Sequence, residues 1–256
     1  MTEAICLPPQ TPAAQTGWHL LFDLYERMPS HWAVVGGQMV ILHCVARGTA
    51  PVRATEDLDA ALDVRLRPGI LREFTAALTD LGFESSGRSP SGHEHRWVTS
   101  DGAQIDVLIA RHLGARAKSR TGVTGGTTIA SPAVQQALDR STPVRVVVAG
   151  RTGTVNLPSL HAALVAKSAA YGVVLDRHRD RHLTDLCALL TVVERGDGLE
   201  SSSRRDLEHL GNAFGVLGRR PEIVGRVDGA AAGLLRAREL VRFARMRLDR
   251  GAADEP

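Results

Sequence analysis

Apolar and polar positions divide the 256-residue chain into two regimes. Up to about residue 156, short apolar runs with two-residue alternation are interleaved with segments of helical period. From Pro158 onward nearly every apolar residue recurs at spacings of three and four. The first regime predicts a helix over 18–28, with Leu20, Leu21, Leu24 and Tyr25 on one face. A short strand over 31–35 closes on Gly36-Gly37, and a helix over 38–46 is broken by Gly48 and Pro51. Residues 57–64 alternate as a strand. Residues 68–81 form an amphipathic helix, with Pro68 in a permitted first-turn position and Gly82 just past the end. Strands over 96–100 and 103–110 make a hairpin about a two-residue Asp101-Gly102 turn. Residues 111–126 read as a loop, and Ser131-Pro132 opens a helix to about 138 with Ser131 as N-cap. A second hairpin joins 144–148 to 152–156. The second regime predicts helices over 159–175, 182–194, 203–217 and 230–248.

Hairpin-joined and helix-joined strands together imply an α/β fold: a mixed β-sheet with packed helices and a helical C-terminal lobe. The expected division is a flexible N-terminal arm over 1–17, carrying Pro8, Pro9 and Pro12, an α/β core over 18–156, and a helical lobe over 157–256. With 43% hydrophobic and 23% charged residues and a mean hydropathy of −0.07, collagen-like, disulfide-scaffold and disordered chains are excluded. No run approaches the ~18–20 apolar residues of a membrane span. Residues 1–15 lack a basic stretch followed by an apolar one, so no signal peptide is expected. Cys6, Cys44 and Cys187 have no CxxC spacing, which suits a reducing cytoplasm.

Charge is unevenly spread. Residues 1–110 hold eight arginines against thirteen acids, whereas residues 111–256 hold twenty-three cationic side chains against fifteen acids. An acidic front half and a basic back half suggest a carboxylate site beside a surface that attracts anions. Lys118 and Lys167 are the only lysines among 31 cationic residues, so a lysine within an apolar helix departs from the habit of this chain.

Candidate chemistry starts at Asp57-Leu58-Asp59. In a strand, residues i and i+2 share a side, so both carboxylates project together while Leu58, Ala60 and Leu62 face a core. Two acids on one face repel unless cations neutralise them, and Mg²⁺ (or Mn²⁺) takes such oxygen ligands together with substrate phosphates. Asp106 lies in the apolar run Ile105-Asp106-Val107-Leu108-Ile109, where an unpartnered acid is costly to bury. If its strand pairs beside 57–64, a third carboxylate joins the pair, the arrangement used for in-line displacement at phosphorus. Asp63, roughly 13 Å along the strand from Asp59, is too distant to share an ion. Gly36-Gly37 lets the backbone approach a ligand and opens a helix whose free N–H groups suit a phosphate. Lys167 shares a helix face with Leu160, Leu164 and Tyr171, which places an ammonium on a buried or cleft side, where it suits non-bridging phosphate oxygens. Asp185 shares a face with Leu189 and is available to Lys167, to a metal-bound water or to an acceptor hydroxyl.

These residues, taken in order, resemble the AbiEii/MenT-type nucleotidyltransferases of the polymerase-β-like superfamily, often toxins of toxin–antitoxin pairs. The matching runs are Val35-Gly36-Gly37, Leu42-His43, Arg53-Ala54-Thr55-Glu56-Asp57-Leu58-Asp59, Leu157-Pro158-Ser159-Leu160, Lys167 and Arg181-His182-Leu183-Thr184-Asp185-Leu186, within about 32–190. The resemblance implies a nucleotidyltransferase core completed by the helical lobe. It also implies Mg²⁺-dependent transfer of a nucleoside monophosphate from an NTP to an RNA acceptor, the tRNA 3′ end in the MenT-like branch. By it, Asp57, Asp59, Lys167 and Asp185 are catalytic. Gly36, Gly37, Thr55 and Lys167 are expected to hold the nucleotide, and Asp57 and Asp59 the metal, joined by Asp106 if its strand pairs beside theirs. A cytoplasmic monomer with a cognate antitoxin and no membrane partner is the expected setting. Many relatives have Gly-Ser where this chain has Gly36-Gly37, and the segment before Asp57 is longer than the usual spacing.

Other signals are weaker. His178 and His182 stand at zinc spacing, but Arg177, Arg179 and Arg181 surround them and no HExxH frame exists. Cys187 near His182 lacks an orienting group for nucleophilic catalysis. The basic segment 111–120 and Arg238, Arg242 and Arg245 of the last helix suit nucleic-acid phosphates, although aromatics for base stacking make up only 4% of the chain. Transfer to a small molecule or protein, and an inactive nucleotide- or partner-binding module, stand as alternatives.

Overall fold

The computed structural model describes residues 3–111, 113–174 and 176–253. Strand β1 (Ile5–Cys6) precedes helix α1 (Pro12–Arg27), which begins where Thr11 accepts from the Ala14 N–H and Pro12 needs no partner for its nitrogen. Strand β2 (Trp32–Val35) runs straight into α2 (Gly36–Ala46), and β3 (Leu58–Leu62) leads to α3 (Ile70–Asp80). Strands β4 (Glu84–Ser85), β5 (Arg96–Val98) and β6 (Gln104–Ala110) follow, then α4 (Ala115–Lys118), β7 (Ile129–Ser131) and α5 (Val134–Asp139). Strands β8 (Ser141–Val148) and β9 (Arg151–Pro158) close the α/β part. The remainder is α6 (Leu160–Tyr171), α7 (Asp180–Thr191), a 3₁₀ turn, α8 (Arg204–Arg219), α9 (Pro221–Val224) and α10 (Ala230–Ala253).

The fold is the mixed sheet expected, with helices packed on it and a helical C-terminal part. The larger sheet has the order β2-β3-β6-β5-β4, with β7 paired to the end of β6. Strands β3 and β6 are parallel, and β2 and β5 are antiparallel to their neighbours. A second sheet orders β1-β8-β9. Leu58, Ala60 and Leu62 face one continuous apolar core, which also takes in Trp18, Trp32, Phe74, Leu186 and Leu240 from both regimes of the chain. The opposite face of β3 carries Ala61 into a small cluster with Val35, Ala110, Val134 and Ala137. Among the described residues no helix is long and apolar enough to cross a membrane.

Four expectations are corrected. Residues 1–17 are not a loose arm throughout: Ile5 and Cys6 pair in parallel with Val146 and Val147, and α1 already starts at Pro12. Proline here sets up a helix start instead of preventing order. The hairpin of β5 and β6 turns through three residues, not two. Val98 pairs with Gln104, Thr99 N donates to Ala103 O at 2.9 Å, and Gly102 adopts φ 89°, as in a three-residue loop with its last position left-handed. Ser131 is not an N-cap, because its backbone is engaged in β7 and accepts from Arg111 N, and α5 instead starts after left-handed Ala133. The 111–126 segment contains α4, and Arg120 within it donates to the Val64 carbonyl.

Candidate active site

Sheet register builds the site. Val35 of β2 pairs with Asp59 of β3, Asp59 with Asp106 of β6, and Asp106 with Arg96 of β5. Residues directly opposite one another project from the same face, so Asp59, Asp106 and Arg96 form one row across three adjacent strands. The residue after Val35 is Gly36, the first of α2, at φ 67°. A Cβ there would stand 1.7 Å from Asp59 Oδ2, and one on Gly37 would stand 2.6 Å from Thr55 Cγ2. The glycine pair thus lets the helix start, the acidic strand and the 53–55 segment come this close without displacing the Asp59 and Thr55 side chains. The N-terminus of α2 has no side-chain cap, which leaves its N–H groups free for an anion. Buried Gln38 ties the approach segment down by donating to the Thr55 carbonyl at 2.7 Å.

A cleft of about 480 Å³ opens over this row. Gly36, Gly37, Thr55, Asp57, Asp59 and Asp106 line it, together with Lys167, Arg181 and His182 from the helical part. All the sequence-predicted site residues except Asp185 thus border one space, and Asp185 lies directly behind. Its carboxylate accepts from Lys167 Nζ at 2.7 Å and from Arg53 Nε and a terminal nitrogen at 2.7 and 3.1 Å. Of the three roles open to Asp185, this structure realises the contact with Lys167. Burial alone would raise its carboxyl, yet the Lys167 charge and the Arg53 hydrogen bond hold it below the ordinary range. Its part is to fix Lys167, itself only 4% exposed, at the cleft wall.

Asp59 has the opposite character. Desolvation, with the neighbouring Asp106 charge second, holds its carboxyl up to about 6 in spite of Lys167. Among the described residues neither Asp59 nor exposed Asp57 has a hydrogen-bond or ion-pair partner. Asp57 sits one residue before β3 and not within it. Asp106 is already spoken for, because Arg96 Nε and a terminal nitrogen donate to its two oxygens at 2.9 and 2.8 Å.

Hard oxygen donors left without partners beside a helix start suit Mg²⁺ or Mn²⁺, and Asp57 and Asp59 meet that description. Asp106 meets it only once Arg96 releases it, and among the described residues no three His, Cys, Asp or Glu side chains converge as a ready ligand set. Asp63, set aside on distance, accepts from the Arg65 and Leu66 N–H groups and shapes a turn. Burial, then the Lys167 and Arg181 charges, push His182 down to about 4, and its Nε2 lies 3.1 Å from Asp176.

Arg96 and Gln38 carry no signal of their own in the sequence, and Arg111 stands out there only within the basic segment 111–120. Arg96 was concealed by register. A two-residue turn sets it opposite Val107, whereas the three-residue turn sets it opposite Asp106. On the last helix, Arg236 and Arg238 are occupied with the Val193 and Phe214 carbonyls, so they serve packing, while Arg242 and Arg245 remain exposed.

No family model and no curated protein matches the chain. Solved structures do. An alignment at TM-score 0.40 and 14% identity covers 96% of this chain and 100% of the antibiotic-resistance factor ANT(2'')-Ia. An antigenic nucleotidyltransferase-like protein from Paracoccidioides brasiliensis aligns at TM-score 0.53 and 18% identity, over 87% of this chain and 95% of that one. Through that likeness, the mixed sheet and its helical complement have a nucleotidyltransferase-like fold.

Proposed function

We propose that this chain is a metal-dependent nucleotidyltransferase that moves a nucleoside monophosphate from an NTP to an RNA acceptor, the tRNA 3′ end, as the toxin of a toxin–antitoxin pair. The observation that carries the reading is that the paired acids Asp59 and Asp106, with Gly36 closely approaching Asp59, border the same cleft as Lys167. In the reaction, the acceptor hydroxyl oxygen bonds to the α-phosphorus and the bond from that phosphorus to the β-phosphate oxygen breaks. Pyrophosphate leaves, and the hydroxyl proton passes to the carboxylate cluster. Asp57 and Asp59 would hold the divalent ion, joined by Asp106 if Arg96 moves. A bound ion supplies acidity to the attacking hydroxyl and charge for the pyrophosphate. Lys167, held by Asp185, neutralises non-bridging oxygens without reorganising. The α2 N–H groups, Arg111 and Arg181 add donors for a triphosphate.

The polyanionic acceptor is supported by the cationic excess after residue 110 and by exposed Arg116 and Lys118 on α4. The tRNA end, the toxin role, the antitoxin, the monomeric state and the cytoplasmic setting rest on the AbiEii/MenT resemblance. The test is incubation of purified protein with Mg²⁺, total RNA and each labelled NTP in turn. Label should enter RNA from at least one NTP and disappear in Asp59→Ala and Lys167→Ala. Label on a protein or small molecule with RNA untouched would replace the acceptor, and NTP binding without turnover would leave a binding module.

A further inference from the structure

The row of paired residues contains a cation that the chemistry does not need in its present place. Arg96 makes a two-pronged contact with Asp106, at 2.9 and 2.8 Å, from the neighbouring strand. Its side chain is 42% exposed, while that of Asp106 is 12% exposed. One end of the pair is therefore anchored and the other is free to leave through solvent. Arg53, another arginine of this cleft, is held instead by Asp185. Without Arg96, two carboxylates directly opposite each other on parallel strands would border the cleft with no cation hydrogen-bonded to either among the described residues.

We propose that Arg96 is a resident counter-ion, occupying the cation position of Asp106 in the free protein and displaced from it when a divalent ion binds. This rests on the reading of Asp57, Asp59 and Asp106 as metal ligands. The guanidinium keeps the acidic row from repelling itself apart while the cleft is empty. It also competes with the metal, so the ion binds well only when the displaced arginine gains something in exchange. Triphosphate oxygens are that exchange, since guanidinium pairs with phosphate as readily as with carboxylate. Arg96 is thus a positioning residue that couples metal binding to nucleotide binding.

The experiment is titration of Mn²⁺ without nucleotide into wild type, R96Q, R96K and D59N, with bound ion read by electron paramagnetic resonance. It is paired with NMR of the Arg96 Nε–H signal under Mg²⁺. Loss of the competitor should tighten Mn²⁺ by about fivefold in R96Q, the scale of a partly exposed ion pair that no longer has to break. R96K, which keeps the charge and loses the fork, should fall between. D59N should lose the site, and the Arg96 signal should shift as Mg²⁺ saturates wild type. In the presence of NTP the order should reverse, with R96Q weaker than wild type. Unchanged or weaker Mn²⁺ binding by both Arg96 variants without nucleotide would overturn the inference while leaving RNA labelling by wild type intact. Tighter binding by R96Q in a protein that labels no RNA would uphold it and remove the RNA reading. Absence of Mn²⁺ binding in every variant would remove both.

Discussion

Two clusters of buried acids and bases in this molecule are built from the same residue types and differ in how completely they are satisfied. At the junction of α6 and α8, Asp206 is fully buried, accepts from Arg140 at 2.7 Å and closes a capping box with Ser203. His161 beside it lies 2.9 Å from Ser202 Oγ, which in turn donates to the Leu199 carbonyl. Asp206 is held below the ordinary carboxylate range by the Arg140 and Ser203 contacts, against burial. In the cleft, Asp59 has no partner among the described residues and burial holds its carboxyl up. A Ser–His–Asp grouping that meets its own needs, with Ser202 and Asp206 sealed from solvent, is a structural joint. An acid that is desolvated, without a partner among the described residues and open to a cleft still has its oxygens to offer.

The largest effect that separates the two comes from removing one charge in each. Asp59→Asn should cut nucleotidyl transfer about 100-fold or more, with stability unchanged or raised because like charges are separated. Asp206→Asn should cost about 3 kcal/mol in urea unfolding, by leaving Arg140 and the Ser203 cap without their acceptor. Its transfer rate per folded molecule should change little. Equal destabilisation by both substitutions would erase the distinction.

Gly36→Ala sharpens it at the backbone. The new Cβ would coincide with Asp59 Oδ2 at a φ that L side chains resist. We expect a loss of about 100-fold in activity from displaced carboxylates and about 1–2 kcal/mol in stability. Gly150, whose added Cβ would meet nothing within 4 Å, should show only the strain of its φ when changed to Ala, with activity retained.

The last effect is in pH dependence. Burial, then the Arg140 charge, push His161 down to about 4 from its ordinary 6.5. Between those values the unfolded chain binds the proton and the native state does not, so stability rises with pH in that window. It is complete above 6.5 and is lost as pH falls toward 4, by up to about 1.4 kcal/mol per pH unit. Asp59 has the opposite sign, since a native value near 6 exceeds that of the unfolded carboxyl and protonation below 6 favours the fold. Urea melts at several pH values should show a shallower acid loss in His161→Gln and a steeper one in Asp59→Asn.

Much of the fold is readable from local pattern because each signal is local. Strand β2, helices α2 and α3, the hairpin of β8 and β9 and the helical second half follow from periodicity and from breakers such as Gly48 and Pro51. The short pieces β1, β4, β7 and α4 were not readable. With two to four residues each, they carry no period and exist only because a neighbouring strand or loop supplies their hydrogen bonds.

Candidate site residues divide along the same line. Local order alone places Asp57 and Asp59 two residues apart, a glycine pair where a strand meets a helix and a lysine within an apolar helix, since those are properties of composition and of residues near one another in the chain. The tertiary structure decided that Asp106 stands opposite Asp59 and that Arg96 stands opposite Asp106. It also decided that Arg53 and Lys167 share Asp185 from 132 and 18 residues away. Register across strands depends on a single residue more or less in a turn, and ion pairs over such separations depend on how whole layers pack. Neither leaves a mark in the local order of side chains.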